Sequence, residues 1–243
     1  MRIPRIYVDL PLAENQTFDL PDPAFQHVCK VLRCKENHPV MVFNGTGGEY
    51  TATLCQVEKR QAKIHTTAYH ALQNESPIKV TLGQVISRGE RMDYAIQKAV
   101  EAGVHQIQPL FSERCEVKLN KERLHKRQQH WQQIAISAAE QSGRGVISQV
   151  LPAMMLSDWL PSRPESLKLT LHPHAAQPIS DLSYVSGDIA VLIGPEGGLT
   201  EKEVQDSMQH QFQNIVLGPR VVRTETAPVM ALTAINLLWG DIK

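Results

Sequence analysis

Between Pro39 and His70 the chain alternates apolar and polar residues in short runs, and before that stretch it is apolar at helical spacing. The runs "PVMVFNG", "GEYTATLCQV" and "AKIHTTAYH" predict β-strands, and "FQHVCKVLRCK" predicts a short amphipathic helix ahead of them. The glycine-rich stretch from Asn44 to Gly48 joins two predicted strands rather than a strand and a helix. It is therefore expected to be a hairpin turn and not a phosphate-cradling loop.

From Ala71 to Pro77 the pattern stops: "ALQNESP" is polar, aperiodic and ends in proline, as linkers do. A domain boundary is expected here, giving a small β-rich unit over 1–72 and a second unit over 73–243. In the second unit apolar strand-like runs alternate with helical patterns: "IKVTLGQVIS", a helix from Glu90 to Val100 stopped at Gly103, then "HQIQPL". Strands interleaved with helices of this length predict a mostly parallel α/β sheet.

A long helix is expected over roughly Lys121–Ser142, ended by Gly143. Its first half carries Arg123, Lys126 and Arg127, which are read either as a solvated face or as contacts to an RNA backbone. The sheet resumes in "LKLTLHP", "DIAVLIGPEGG" and "NIVLGPR". The last helix, Pro228–Trp239, is apolar almost all round, too oily for a helix lying on one side of a sheet. It is expected either to lie wholly inside or to meet a second identical subunit.

Composition narrows the partners. The 243 residues are 42% hydrophobic and carry 25 Lys plus Arg against 25 Asp plus Glu, so there is no global basic field and any nucleic-acid contact needs a local patch. The cysteines Cys29, Cys34, Cys55 and Cys115 form no C-x-x-C pair and no secretory signal pattern opens the chain, which favours reduced thiols in the cytoplasm. No apolar run approaches the ~20 residues needed to cross a bilayer. A metal is not expected: His172 and His174 flank a proline, and His125 and His130 are not on one helical face.

Candidate chemistry gathers where three predicted strands end. Leu167–Leu171 runs into His172-Pro173, Ile189–Ile193 into Gly194-Pro195-Glu196-Gly197-Gly198, and Ile215–Leu217 into Gly218-Pro219-Arg220. Ligands in open α/β sheets sit beyond the carboxyl ends of the strands. The glycine loop permits close backbone approach, and Thr200 with Glu203 forms a capping-box pattern opening the next helix. The loop is neither a G-x-G-x-x-G fingerprint nor a P-loop. With few cations in it, the site suits an uncharged heterocycle and ribose, such as an adenosine-like cofactor. Arg220, Arg223 and Glu225 are then left for chemistry or a second substrate.

The segments "MRIPRIY", "TLGQVISRGERMDYAIQKAVEAGV", "PLFSERCEVKL", "LHPHA", "IGPEGGLT" and "LGPRVVRTETA", in this order across nearly the full length, resemble the bacterial RsmE-type 16S ribosomal RNA (uracil-N3) methyltransferases of the SPOUT superfamily. The resemblance implies an N-terminal PUA-like β-barrel for RNA and a C-terminal SPOUT domain with a deep trefoil knot holding S-adenosylmethionine. It also implies a homodimer and 16S ribosomal RNA or the small ribosomal subunit as partner. Carried over by motif, the cofactor cradle comprises Leu171, His172, Gly194, Pro195, Glu196, Gly197, Gly198, Leu217, Gly218, Val222, Arg223, Thr224 and Thr226. The chain departs from the family pattern at His174, Ser142, Val222 and Pro228.

The implied reaction moves a methyl group to N3 of a uridine. Arg223 is the candidate for stabilising the deprotonated imide and Glu225 for accepting its proton; an ion pair and a helix N-terminal carboxylate are the alternative readings of the two. Arg5, Arg88, Arg91, Arg114, Lys118 and Arg144 are candidates for RNA phosphates. The rival readings are a SPOUT ribose 2′-O-methyltransferase, whose early Asn-x-x-x-x-Arg and late Ser-Leu-Asn-Val motifs are missing from this chain, and a non-catalytic RNA-binding module.

Overall fold

The computed structural model describes residues 3–117 and 120–243, which divide into two compact units, one of residues up to Glu75 with Ala139–Ile147 and the other of Ser76–Ala138 with Ser148–Lys243. Among the described residues no helix is long and apolar enough to cross a membrane.

The first unit contains β1 (Arg5–Tyr7), β2 (Thr17–Asp19), α1 (Asp22–Phe25), β3 (Pro39–Phe43), β4 (Gly48–Val57) and β5 (Ala62–Ala71). The five strands form one sheet in the order β1-β3-β4-β5-β2, antiparallel except for the β1–β3 pair. The expected amphipathic helix is present in altered form: α1 runs straight into a π-helical stretch, Gln26–Val31. Its buried Phe25 and Val28 cover a core of Ile6, Val8, Val40, Val42, Leu54 and Ile64. The segment 44–47 is the tight β3–β4 connection, joining two antiparallel strands as expected, and Gly48 already belongs to β4.

Ala139–Ile147 joins this unit although it is far away in sequence. Arg5 donates to the Ala139 carbonyl at 3.0 Å, Glu140 accepts from the Tyr7 amide at 2.9 Å, and Arg144 pairs with Glu75 at 2.6 Å. The first unit is thus built from two stretches of chain, a feature that a boundary read from one polar linker does not show.

The second unit contains β6 (Val80–Val85), α2 (Glu90–Glu101), β7 (Gln106–Phe111), α3 (Lys121–Ser142, whose last turn belongs to the first unit), β8 (Gln149–Val150), β9 (Met154–Met155), α4 (Leu156–Trp159), β10 (Leu167–Leu171), β11 (Gln177–Pro178), β12 (Ile189–Ile193), α5 (Glu201–Gln209), β13 (Gln213–Val216) and α6 (Ala227–Trp239). Its strands pair in parallel in the order β11-β13-β10-β12-β6-β7-β8, with β9 also on β7. Central strands β6 and β12 are buried along their whole length, which explains the unbroken apolar sequence of β12; β6 carries the buried polar residues Thr81 and Gln84 among its apolar ones. In α2 the buried residues Met92, Ala95, Ile96, Ala99 and Val100 recur at helical spacing and seat it on the sheet. Helix α6 is not wholly inside the chain: Ala231, Leu232 and Ile235 are buried, while Leu237 and Leu238 stay exposed at 59% and 42%.

Candidate active site

The strands that feed the three loops are immediate neighbours. β10 lies between β13 and β12, with Leu171 opposite Ile215 and Thr170 opposite Leu192, so all three chains leave the sheet at one end. β13 ends at Val216, one residue earlier than expected, which moves Leu217 into the loop. On the other side of β12, Ile193 faces Gln84 of β6.

One buried threonine ties the loops together. Thr224 donates from its hydroxyl to the Gly194 carbonyl at 2.7 Å and accepts from Gln84 Nε2 at 3.1 Å. The third loop is thereby fastened to the root of the glycine loop and to the end of β6. Gln84 was not among the expected site residues; the signal for it is an amide in a fully buried, mostly apolar strand.

The glycine loop is pinned along its length. At Gly194 an added Cβ would lie 3.1 Å from Leu199 Cγ, so a side chain at the root of the loop would press on Leu199 and make it give by a few tenths of an ångström. Pro195 is buried, and its carbonyl accepts from the Gly198 amide at 2.9 Å. The expected capping box is formed, with Thr200 and Glu203 bonded to each other's backbone amides, and Glu203 also accepts from the Glu113 amide at 2.8 Å. Glu196 accepts from Arg91 at 3.0 Å and from the Arg88 amide at 3.4 Å. Arg114 donates to the carbonyls of Gly197 and Leu199 at 3.0 and 3.4 Å.

In the first loop, half-buried His172 is tied to β13 through its own amide, which donates to the Ile215 carbonyl at 3.0 Å. Its Nδ1 accepts from the His174 amide at 3.3 Å, which places the proton of the neutral ring on Nε2. Burial, and then the neighbouring His174, lower its pKa, so the neutral ring is favoured. In the third loop Leu217, Val222, Glu225 and Thr226 are half-buried, whereas Arg220 and Arg223 are exposed. Arg223 stands 3.9 Å from Glu225 with its side chain 80% exposed. The Glu225 side chain is 14% exposed, and its Oε2 is buried without a partner among the described residues.

The expected RNA contacts separate into groups. Arg5 stacks on Phe43 at 3.8 Å and pairs with Glu49 at 2.5 Å, and Arg144 is 5% exposed and paired with Glu75. Both cations are spent inside the first unit, so neither is free for the phosphate role expected of it. Arg91 and Arg114 brace the glycine loop. Arg88 is exposed and pairs with equally exposed Glu116 at 3.0 Å, a contact worth little. Lys118 lies outside the described residues.

An adenosine-type cofactor fits this set of groups. Gly198 and Gly218 hold positive φ of +69° and +121°, and a Cβ at either would meet nothing within 4 Å, so the backbone there is open to close approach. The orphaned Glu225 Oε2 and Gln84 Oε1 leave acceptors unsatisfied beside the same loops. Among the described residues no group of three or more His, Cys, Asp or Glu could hold a metal.

Comparison with known proteins agrees with this picture. Residues 74–236 match the RNA methyltransferase domain family, and residues 20–66 match the RNA methyltransferase PUA domain, which makes the chain an RNA methyltransferase with an appended PUA domain. The ribosomal RNA small subunit methyltransferase E of Buchnera aphidicola is 36% identical over all of this chain and 96% of that protein. The protein of the same name from Neisseria gonorrhoeae, solved bound to S-adenosyl methionine, is 43% identical with a TM-score of 0.94 and complete coverage of both chains. A Legionella pneumophila methyltransferase solved with bound SAM gives 38% and 0.97, again over both chains in full. The chain belongs to the ribosomal RNA small subunit methyltransferase E family.

Proposed function

We propose that this protein transfers a methyl group from S-adenosylmethionine to N3 of one uridine in 16S ribosomal RNA. The observation that carries the reading is the convergence of the β10, β12 and β13 ends, locked by Thr224 onto Gly194. The cofactor supplies an electrophilic methyl group on a sulfonium. Leu171 and His172, the loop Gly194–Gly198, and Leu217, Gly218, Val222, Arg223, Thr224 and Thr226 would hold it, consistent with the bound cofactor in the Neisseria and Legionella relatives. The segment after β13 passes through the cradle as the deep trefoil knot of SPOUT proteins.

A uracil N3 carries a proton and becomes nucleophilic once it leaves. Glu225, shielded and with a free oxygen, takes that proton. Arg223, free to move at the surface, places its guanidinium against the charge that develops on the uracil carbonyls. The N3–C bond then forms as the S–C bond breaks, and the protein's share is to hold the two in line. The first unit acts as a PUA-like barrel for RNA, and the exposed apolar end of α6 pairs with the same helix of a second copy.

The direct test is incubation with labelled cofactor and ribosomal RNA from a strain lacking the modification, followed by nucleoside analysis. Label in 3-methyluridine is expected; label in a 2′-O-methylated nucleoside, or none, refutes the reading.

A further inference from the structure

Beyond the carboxyl end of β6 lies a recess within the second unit, lined by no residue of the three cofactor loops. Its volume is about 210 Å³, below the ~300–1,000 Å³ of sites that enclose drug-sized molecules, so it has room for one small ring and not for a whole dinucleotide-sized cofactor. Ile86, Val117 and the edge of Trp131 give it apolar walls, and Ser87, Arg88 and Arg127 give it polar ones.

Two independent features point to a ligand. Ser87 is 4% exposed, yet its hydroxyl has no hydrogen-bond partner among the described residues, a cost that a native protein seldom carries without a use. Gly89, also lining the recess, is the N-cap of the twelve-residue helix α2 and supplies no side-chain cap, which leaves N–H groups of the first turn available. Of the two acidic residues in the first turn, Asp93 is occupied by His130 at 2.9 Å and by the Trp131 indole at 3.2 Å, and Glu90 is exposed to solvent and does not line the recess. Arg127 is exposed and has no ion-pair partner among the described residues.

Apolar walls, one buried hydroxyl, two arginines and a helix N-terminus are together the chemistry of a nucleotide. The ring is enclosed and hydrogen-bonded at its edge, and the phosphate meets guanidinium groups. The recess is also joined to the cofactor loops, because the Arg88 amide donates to Glu196 of the glycine loop. We infer that this recess is a subsite for a single unstacked nucleotide of the RNA substrate, base inward on Ile86, Val117 and Trp131 with Ser87 at its edge, phosphate outward on Arg88 and Arg127. The inference rests on the methyltransferase reading and adds to it the place where the RNA strand is gripped.

The test is equilibrium binding of uridine 5′-monophosphate to the full chain, with S-adenosylmethionine binding measured in parallel. Ser87→Ala and Arg127→Ala are each expected to weaken the nucleotide about ten-fold while leaving cofactor affinity unchanged. Arg127→Ala should also lower the salt slope of RNA binding by about one unit. Arg127 is a surface residue, so its variant tests the idea even if Ser87→Ala folds poorly. The proposal is overturned if millimolar nucleotide does not bind, if neither variant weakens it, or if it competes with the cofactor. Wild-type protein that takes up the nucleotide but not S-adenosylmethionine would instead sink the methyltransferase reading and leave the recess standing.

Discussion

Replacing Thr224 with valine keeps the shape of a buried side chain and removes only its hydroxyl. Two hydrogen bonds go with it, the 2.7 Å bond to the Gly194 carbonyl and the 3.1 Å bond from Gln84. Each is worth about 1 kcal/mol net, and a buried acceptor left empty costs ~1–3 kcal/mol. Gln84 keeps its bond to the Val85 carbonyl at 3.1 Å, so the penalty falls mainly on Gly194. A loss of about 2 kcal/mol follows, which at an m-value of ~2–3 kcal/mol per molar moves the urea midpoint down by ~0.7–1 M. Tryptophan fluorescence is a clean probe because Trp131, Trp159 and Trp239 all lie in the second unit. Cofactor affinity should drop with stability, since the third loop loses its anchor. Thr224→Ser is the control: it keeps the hydroxyl and gives up a methyl worth about 0.8 kcal/mol. Equal midpoints for the valine variant and wild type, or an equal fall for serine and valine, would refute the anchoring role.

Glu225→Gln should bind S-adenosylmethionine normally yet turn over about 100-fold more slowly at saturating RNA; full turnover would leave Glu225 as a helix-end carboxylate and no more. Burial holds the Glu140 carboxyl above its ordinary pKa of 4.5 against the pull of the Tyr7 amide, His27 and Arg5. Because the folded pKa is the higher one, its favourable contribution is complete below the unfolded pKa and is lost as pH rises through the folded value. Calorimetry of Glu140→Gln, which keeps an acceptor for Tyr7, should therefore show a gain in stability near neutral pH that vanishes in acid; a gain independent of pH contradicts this. If the proposed dimer forms through the exposed end of α6, the wild type should sediment as a dimer and Leu237→Asp as a monomer; a monomeric wild type, or an unchanged mass for the variant, refutes that contact.

What the residue pattern reveals about this molecule is local. The period-2 runs give β3, β4 and β5, the alternation of strands and helices gives the parallel sheet, and Thr200-x-x-Glu203 gives the start of α5, because each depends on neighbours a few residues apart. The site depends on partners that sequence spacing cannot bring together. Gln84 and Thr224 are 140 positions apart, Arg144 and Glu75 are 69, and Arg5 and Glu49 are 44. A surface arginine and a buried, paired one look alike in a sequence, which is why Arg5 and Arg144 were expected to meet phosphate. Nor does any local pattern announce that β13 enters the sheet on the far side of β10 from β12.

The long-range contacts explain how a chain with no net charge can still serve an anionic partner. Among the second unit's arginines near the loops, Arg91 and Arg114 are committed to Glu196 and to the carbonyls of Gly197 and Leu199. Those bonds fix the glycine loop before any ligand arrives, so less ordering cost remains to be met on binding. The arginines left over among the described residues near these features are Arg88, Arg127, Arg220 and Arg223, all exposed, with Arg88 and Arg223 only loosely paired, to Glu116 and Glu225. Arg88 and Arg127 lie at the recess, and Arg220 and Arg223 belong to the third loop. The unspent positive charge is therefore placed on the two features proposed to meet RNA, and neutralising Arg88, Arg127 or Arg220 one at a time should weaken RNA without weakening the cofactor, whereas Arg223, which also belongs to the proposed cofactor cradle, should affect both.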